Sequence, residues 1–539
     1  MIRPMEHDLS GRALESRLSS AWHGISAQER WAFAACFVSG LLIHLYAFTN
    51  LIPNADGISR LYDAQQMTIS GRWFLHYASA LNGYFELPAM IGVLSLIFLS
   101  LAAALTVRLL RVRGSVWAAL IGVSLTAFPP AAYTYLYMFT ASAYFLGVLF
   151  AVLGVYFTAR KKYGFLYGAV FLALAMGIYQ TYAAVAIGLC LIVVMLDALE
   201  PGRKSRVSFM LGLRCIAFLL IGVALYLVIL KIFLSVKDLE LLSYQGISST
   251  AGGYPAAQLP SIILKAYKGF AEYFFIGSVT SYTTAAVAGL HLLLALLSAF
   301  LFFRIARRGR AGAWNIVIAL CMAILLPMGL NFSQVLAPSS TVTPIMKYPL
   351  VLAYVLPAVL LDRCADDSRA TLRALRGAGL ALLAVALFYC WQVDNIVYSA
   401  SDTAMRATES FCNRLVSRIE TTDGYEDGME VLIIGSYPTD RYYSDIPAYD
   451  LVRHYSCDAD STIALNKQIY YFIDRWLNVP IAEPDEQDFI DMAASDEFKA
   501  MPRYPDDGCA KVVDGKLVVK LQETYTPKKD YEIQYENRR

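Results

Sequence analysis

Apolar residues in this chain run in blocks long enough to cross a bilayer, not in the half-buried periodicities of a water-exposed fold. A crossing helix needs roughly 20 apolar residues for a hydrocarbon core of about 30 Å. Blocks 31–51, 87–110, 208–232, 281–303, 314–331, 347–361 and 377–397 each read as one span. Block 116–158 contains Phe128-Pro129-Pro130. Proline removes a backbone donor and clashes with the preceding turn, so this block reads as two spans joined there. Block 165–199 is too long for one helix and is interrupted by Tyr179-Gln180-Thr181-Tyr182. Its flanks, Arg160-Lys161-Lys162 and Arg203-Lys204 with Arg206, are both basic. Basic flanks mark the cytoplasmic side, so two short spans are expected to meet outside near Tyr179–Tyr182.

The remaining basic loops agree with that orientation. They hold Arg111 and Arg113; Arg304, Arg307, Arg308 and Arg310; and Arg363, Arg369, Arg373 and Arg376. The pattern predicts a polytopic α-helical membrane protein of about 11 transmembrane helices, with residues 1–30 in the cytoplasm and 31–398 as the membrane domain. The first thirty residues are polar and precede an uncleaved first span, with no cleavable signal peptide expected. External loops are placed at 52–86, 233–280 and 332–346. Within the second, Pro260–Phe275 mixes apolar, aromatic and lysine residues, as suits a helix lying in the headgroup plane. From 399 to 539 the pattern becomes that of a small extracytoplasmic α/β domain. It has a helix over 402–420, a buried strand in 429–436, an acidic helix over 485–498 and a hairpin over 511–521 turning at Asp514-Gly515.

Composition sharpens this picture. The chain is 57% hydrophobic and 16% charged, whereas water-soluble domains run about a quarter charged. A net charge of +2 with no dominant basic patch argues against a nucleic-acid partner. Nine cysteines show no Cys-x-x-Cys or Cys/His ligand spacing, so no zinc site is expected. Six of them, Cys36, Cys190, Cys215, Cys321, Cys364 and Cys390, fall in or beside apolar spans. Cys412, Cys457 and Cys509 fall in the tail, where Cys457–Cys509 is the expected disulfide. No Walker, Gly-x-Ser-x-Gly or His-Glu-x-x-His sequence occurs, and neither a cofactor nor a metal is expected.

Candidate chemistry gathers in the first external loop. In Asn54-Ala-Asp-Gly-Ile-Ser-Arg-Leu-Tyr-Asp63, a helix over 56–67 would place Asp56, Arg60 and Asp63 on one face. A capped helix with internal ion pairs accounts for Asp63 as well as catalysis does, and either Asn54 or Asp56 can serve as the cap. Asp56 fits a base better, because a carboxylate so close to the membrane is partly desolvated and binds its proton more tightly. Arg60 and Arg72 offer paired donors for a phosphate, although Arg72 beside Trp73 reads equally as an interfacial snorkel. His76 reads as a belt residue or an acceptor-binding group, and Glu86 as the start of a span. Lys231 and Lys347, near outer span ends, suit a lipid carrier's phosphate or ordinary headgroups. Tyr179, Gln180 and Tyr182 offer stacking and hydrogen bonding for a sugar, or an aromatic belt.

The Asp-Gly opening of this loop, its Gly71-Arg72-Trp73, the Tyr-Gln-Thr-Tyr turn and the closing "MPRYPDDGCAKVVDGKLVVKL" together resemble the bacterial glucosyltransferases of the Gtr type II family, over most of residues 31–525. The resemblance implies a GT-C architecture in the cytoplasmic membrane of a bacterium. It implies inverting transfer of a sugar from a polyprenyl-phosphate-linked donor to a cell-surface polysaccharide or lipid-linked glycan on the outer face, with Asp56 as base. The later segment 137–145, "YMFTASAYF", lacks the second carboxylate many such enzymes carry; Asp63 is the candidate substitute. The competing reading is a transporter or flippase of lipid-linked sugars. Inverted repeats and midplane charges would favour it, and the sequence shows neither.

Overall fold

Nine helices among the described residues are long and apolar enough to cross a membrane: Ala27–Thr49, Pro88–Leu110, Met138–Arg160, Gln180–Ala198, Ser205–Val236, Ala285–Arg308, Ala313–Leu330, Pro344–Arg363 and Ala370–Glu420. The computed structural model describes residues 24–58, 64–241, 256–277, 281–338, 342–364, 370–435, 446–452, 468–525 and 527. Two further apolar helices are shorter, Ser115–Ala127 with 13 residues and Gly164–Ile178 with 15. At about 1.5 Å per residue they reach only about 20 Å.

Both short helices stop where the sequence says they must. Phe128 takes an extended backbone, φ −76° and ψ 121°, because a residue before proline is pushed out of the helical region. Pro130 then opens the helix Pro130–Tyr135. Tyr179 is extended as well, φ −157° and ψ 121°, and a tight turn over Gln180–Tyr182 restarts the chain into Ala183–Ala198. Burial separates the centre of the bundle from its rim. The apolar stretch of Met138–Arg160 is 89% buried and that of Ser205–Val236 only 22%, so the latter helix presents Leu220, Leu227 and Val228 outward.

One end of the bundle is rich in arginine. There Arg108 pairs with Glu29 at 2.9 Å, Arg203 with Asp197 at 2.6 Å, and Arg363 with Glu200 at 3.1 Å. The Asp362 carboxylate accepts the backbone N–H groups of Arg113 and Gly114 at 2.9 and 2.7 Å, just ahead of Ser115–Ala127, supplying acceptors that the helix start lacks. The other end carries the loops. Helix Leu259–Ala271 lies across it, burying Ile262 and Ala266 and exposing Leu264. Its Ala266 carbonyl accepts Asn331 Nδ2 at 2.9 Å, and Tyr267 Oη donates to the Ile324 carbonyl at 2.8 Å.

Helix Ala370–Glu420 has 51 residues, about 75 Å at helical rise, and runs unbroken through residue 399 into a second hydrophobic core. That core packs Phe411, Leu415 and Ile419 of the helix against Phe472, Phe489 and Phe498. A three-stranded sheet completes it, in the order β1 (Val431–Ile434), β3 (Lys516–Lys520), β2 (Ala510–Val513). β1 is parallel to β3, with Ile433 opposite Val519, and all four of its residues are buried. β2 and β3 form the expected hairpin, turning through Asp514 at φ 49° and Gly515 at φ 78°. The acidic helix over 485–498 is two helices, Glu486–Ala494 and Asp496–Ala500, because Ser495 turns extended and caps the second by accepting the Phe498 N–H at 3.1 Å. Cys509 is a buried free thiol, not the disulfide partner expected, and Cys457 lies outside the described residues.

Candidate functional site at the loop end

The chain leaves its first span into a turn fixed by Asn54. The Asn54 N–H donates to the Leu136 carbonyl at 3.2 Å, and its Oδ1 accepts the Gly57 N–H at 2.9 Å. Asn54, not Asp56, is therefore the cap of the one-turn helix Ala55–Ile58. Gly57 is required by space: a Cβ there would lie 2.8 Å from Pro53 Cβ and 3.8 Å from Glu86 Oε1. Asp56 is exposed at the surface of this turn. Ile58 is wholly buried in the second core, and the Trp476 indole donates to its carbonyl at 3.1 Å. The tail thus seats directly on the turn that carries Asp56.

The helix expected over 56–67 does not form. The chain is non-helical over 64–67, with Gln65 at φ 54°, a left-handed conformation that interrupts a right-handed helix. Gln65, Thr68, Ile69 and Ser70 instead turn inward and are buried. Arg60 and Asp63 lie outside the described residues.

Glu86 is the residue that sequence reasoning passed over. Read as the start of a span, it is 5% exposed, tucked behind Gly57, and neither carboxyl oxygen has a hydrogen-bond partner among the described residues. Burial pushes its carboxyl up to about 8, so it is mostly protonated at neutral pH. The available signal was a lone carboxylate enclosed by Tyr84-Phe85 and Leu87-Pro88. Tyr137 is a second addition. Burial, with Tyr133 next and then the Asp56 charge, raises its hydroxyl well above the ordinary range, and Tyr179 adds to this. Tyr137 therefore stands within electrostatic reach of both Asp56 and the Tyr179 turn.

The Gly71-Arg72-Trp73 and Tyr179–Tyr182 segments meet. Gly71 sits at φ 78°, where a Cβ would fall 2.4 Å from Gln180 Nε2. Gln180 Nε2 donates to the Ser70 carbonyl at 2.9 Å and to Tyr226 Oη at 3.1 Å, and Tyr226 Oη donates to the Gly71 carbonyl at 3.1 Å. The Phe74 N–H donates to the Gly177 carbonyl at 2.8 Å. Arg72 lies over the Tyr179 ring, 4.7 Å from its centroid, and donates to Tyr144 Oη at 3.2 Å. Tyr179 and Tyr144 stack at 5.1 Å. Tyr182 is buried edge-on to both. Gln180 thus latches two loops, while Arg72 and Tyr179 form a cation–aromatic pair. Trp73 is buried and stacks on Phe233, not on the bilayer interface.

The other candidates are dispersed. His76 is half-buried, stacks on Tyr84 at 5.1 Å, and hydrogen-bonds the Ala64 carbonyl through Nδ1, so it braces the loop. Lys231 is exposed on Ser205–Val236. Lys347 is buried, with Nζ 5.2 Å from the Tyr273 ring centroid. Among the described residues, no three His, Cys, Asp or Glu side chains are grouped to hold a metal ion.

The long apolar helices define a multi-pass membrane protein, with its loop-end polar residues gathered around one short turn. Residues 45–360, more than half of the chain, match the family described as Glucosyl transferase GtrII, and the chain belongs to that family. It is on that footing a glycosyltransferase. The match stops before the tail, short of the expected reach to 525. Neither the curated proteins nor the solved structures contain a match.

Proposed function

We propose that the protein transfers a sugar, glucose by family, from a polyprenyl-phosphate-linked donor to a surface glycan on the outer face of a bacterial cytoplasmic membrane. The two short helices count as crossings with the nine long ones, giving 11, with the N-terminus inside and the tail outside. This places the arginine-rich end in the cytoplasm, as the positive-inside rule favours, and the loop end outside.

The supporting observation is the turn Asn54–Ile58, where exposed Asp56 stands above buried Glu86 and Tyr137 links it to the Arg72–Tyr179 pair. Asp56 takes the proton of an acceptor hydroxyl. That oxygen bonds to the anomeric carbon from the face opposite the phosphate, the bond from carbon to phosphate oxygen breaks, and polyprenyl phosphate leaves with the electron pair. Arg72 offsets the phosphate charge, with Arg60, Lys231 and Lys347 as the remaining cationic candidates. Glu86, kept neutral by burial, donates a hydrogen bond to substrate and adds no charge against the phosphate. Tyr179, with Gln180, Tyr182 and His76 behind it, shapes the sugar-facing wall.

The test is purified protein with polyprenyl-phosphoglucose and candidate glycans. Transfer that vanishes in Asp56→Asn, with the protein still folded and inserted, supports the reading. Undiminished transfer removes Asp56 from the chemistry, and donor flipping without transfer replaces the enzyme with a transporter.

A further inference from the structure

A cavity of about 150 Å³ opens at the arginine-rich end, far from the candidate transfer site, where the helices ending at Leu110, Arg160 and Ala198 meet the start of Ser205–Val236. Five arginines line it: Arg111, Arg160, Arg203, Arg214 and Arg363. Only Asp197 and Glu200 oppose them. Asp197 is already engaged, accepting Arg203 Nε and Nη2 at 2.9 and 2.6 Å and Ser208 Oγ at 2.8 Å. Glu200 pairs with Arg363 at 3.1 Å and reaches Arg111 only at 4.0 Å. Arg160 donates to the Leu109 and Arg108 carbonyls at 2.5 and 3.3 Å, and to no carboxylate. Arg214 has neither a hydrogen bond nor an ion pair among the described residues. Three cationic charges thus remain in excess around one small space.

The rim is apolar. Val207 and Met210 line the cavity and are 43% and 48% exposed on the outward side of Ser205–Val236. Concentrated guanidinium groups call for a phosphate, which they bind through paired N–H donors. An apolar, bilayer-facing rim calls for hydrocarbon. A ligand that satisfies both has an anionic phosphate head and acyl chains, and basic pockets between membrane helices are known to suit such lipids.

We propose that this cavity binds the headgroup phosphate of an anionic phospholipid, held by Arg111, Arg160 and Arg214, with its chains along Val207 and Met210. The inference stands apart from the transfer reaction.

Full-length protein, stripped of lipid in detergent, is titrated with phosphatidylglycerol, with phosphatidylcholine and with inorganic phosphate. Bound lipid is counted by native mass spectrometry and stability followed by thermal midpoint. One saturable phosphatidylglycerol, a raised midpoint, and no such effect from phosphatidylcholine or inorganic phosphate are expected. The double variant Arg111→Gln/Arg214→Gln should weaken retention roughly thirtyfold, at about fivefold per arginine. Arg206→Gln, an exposed arginine of the same helix end that does not line the cavity, should leave it unchanged. Equal loss in Arg206→Gln, equal binding of phosphatidylcholine, or the same saturable shift from inorganic phosphate alone would each overturn the proposal.

Discussion

Glu86→Gln is the most informative single substitution in the loop. The wild-type carboxyl is buried without a hydrogen-bond partner among the described residues, and its proton affinity rises from 4.5 to about 8. The folded state therefore holds a proton that the unfolded state releases near pH 4.5. Stability from this site is fully present below pH 4.5 and is lost as pH rises through about 8. A rise of that size corresponds to on the order of 5 kcal/mol between the limits. Gln has similar volume, no titration and a retained N–H donor. Unfolding in nanodiscs from pH 4.5 to 9 should show the wild type losing stability across the window, while Glu86→Gln stays nearly flat. Transfer should follow the same logic. Wild-type activity falls as Glu86 ionises beside the donor phosphate, and the variant keeps most of its activity with that alkaline limb removed. If Glu86→Gln abolishes transfer as completely as Asp56→Asn, the base is Glu86 and the division of roles proposed here is wrong. Parallel stability profiles for both proteins would show that the carboxyl is not held neutral by burial.

Asp56→Asn should lower kcat at least about a hundredfold, the usual scale for removing a general base, with donor binding retained; loss of donor binding would mark a structural role. Gly71→Ala forces a Cβ into a left-handed position facing Gln180 Nε2, costing about 1–2 kcal/mol; thermal midpoint and transfer should fall together, and an unchanged midpoint would deny the latch. Trp476→Ala removes the donor to the Ile58 carbonyl and the ring stacked on Phe472; faster proteolysis of the tail and reduced transfer are expected, whereas normal transfer would separate the tail from the site. Lys520→Met leaves the Lys499 and Met501 carbonyls and Glu523 without their buried donor; the tail should lose roughly 1–3 kcal/mol, read by denaturant unfolding.

What the sequence made legible was whatever depends on local chain chemistry. Phe128-Pro129-Pro130 and Tyr179–Tyr182 broke the two long apolar blocks where the structure breaks them, because proline geometry and polar interruption act within a few residues. Asp514-Gly515 specified its hairpin in the same way. The loop after the first span was misread, because its conformation is set from outside it. Leu136 supplies the acceptor for Asn54, Trp476 grips Ile58, and inward burial of Gln65 and Ser70 outweighs the weak helical preference of 56–67. Glu86 was missed for the same reason: its burial comes from Gly57 and its surroundings, not from Leu87-Pro88. Gln180 was legible as a polar group in the right turn, but its latch role depends on Ser70 and Tyr226, 110 and 46 positions away.

The two short helices give the candidate site its depth. A helix of 13 or 15 residues covers about 20 Å of a core of about 30 Å, so the rest of each crossing must be filled by irregular chain. Non-helical backbone at membrane depth is tolerated only where its polar groups find partners within the protein. Here they do: Phe74 N–H meets the Gly177 carbonyl, Gln180 and Tyr226 meet Ser70 and Gly71, and Asn54 N–H meets the Leu136 carbonyl. Each of these bonds joins the first loop to the end of a shortened helix. The truncated helices thus form a recess that the loop enters, carrying Arg72 and Glu86 below the level an ordinary surface loop would reach. A donor whose phosphate sits at the membrane surface and whose chain runs into the bilayer needs a site at that level. Lengthening Ser115–Ala127 by replacing Pro129 and Pro130 with leucine should fill the recess and expel the loop, with loss of transfer while insertion persists. Retained transfer would show that the short helices have no part in building the site.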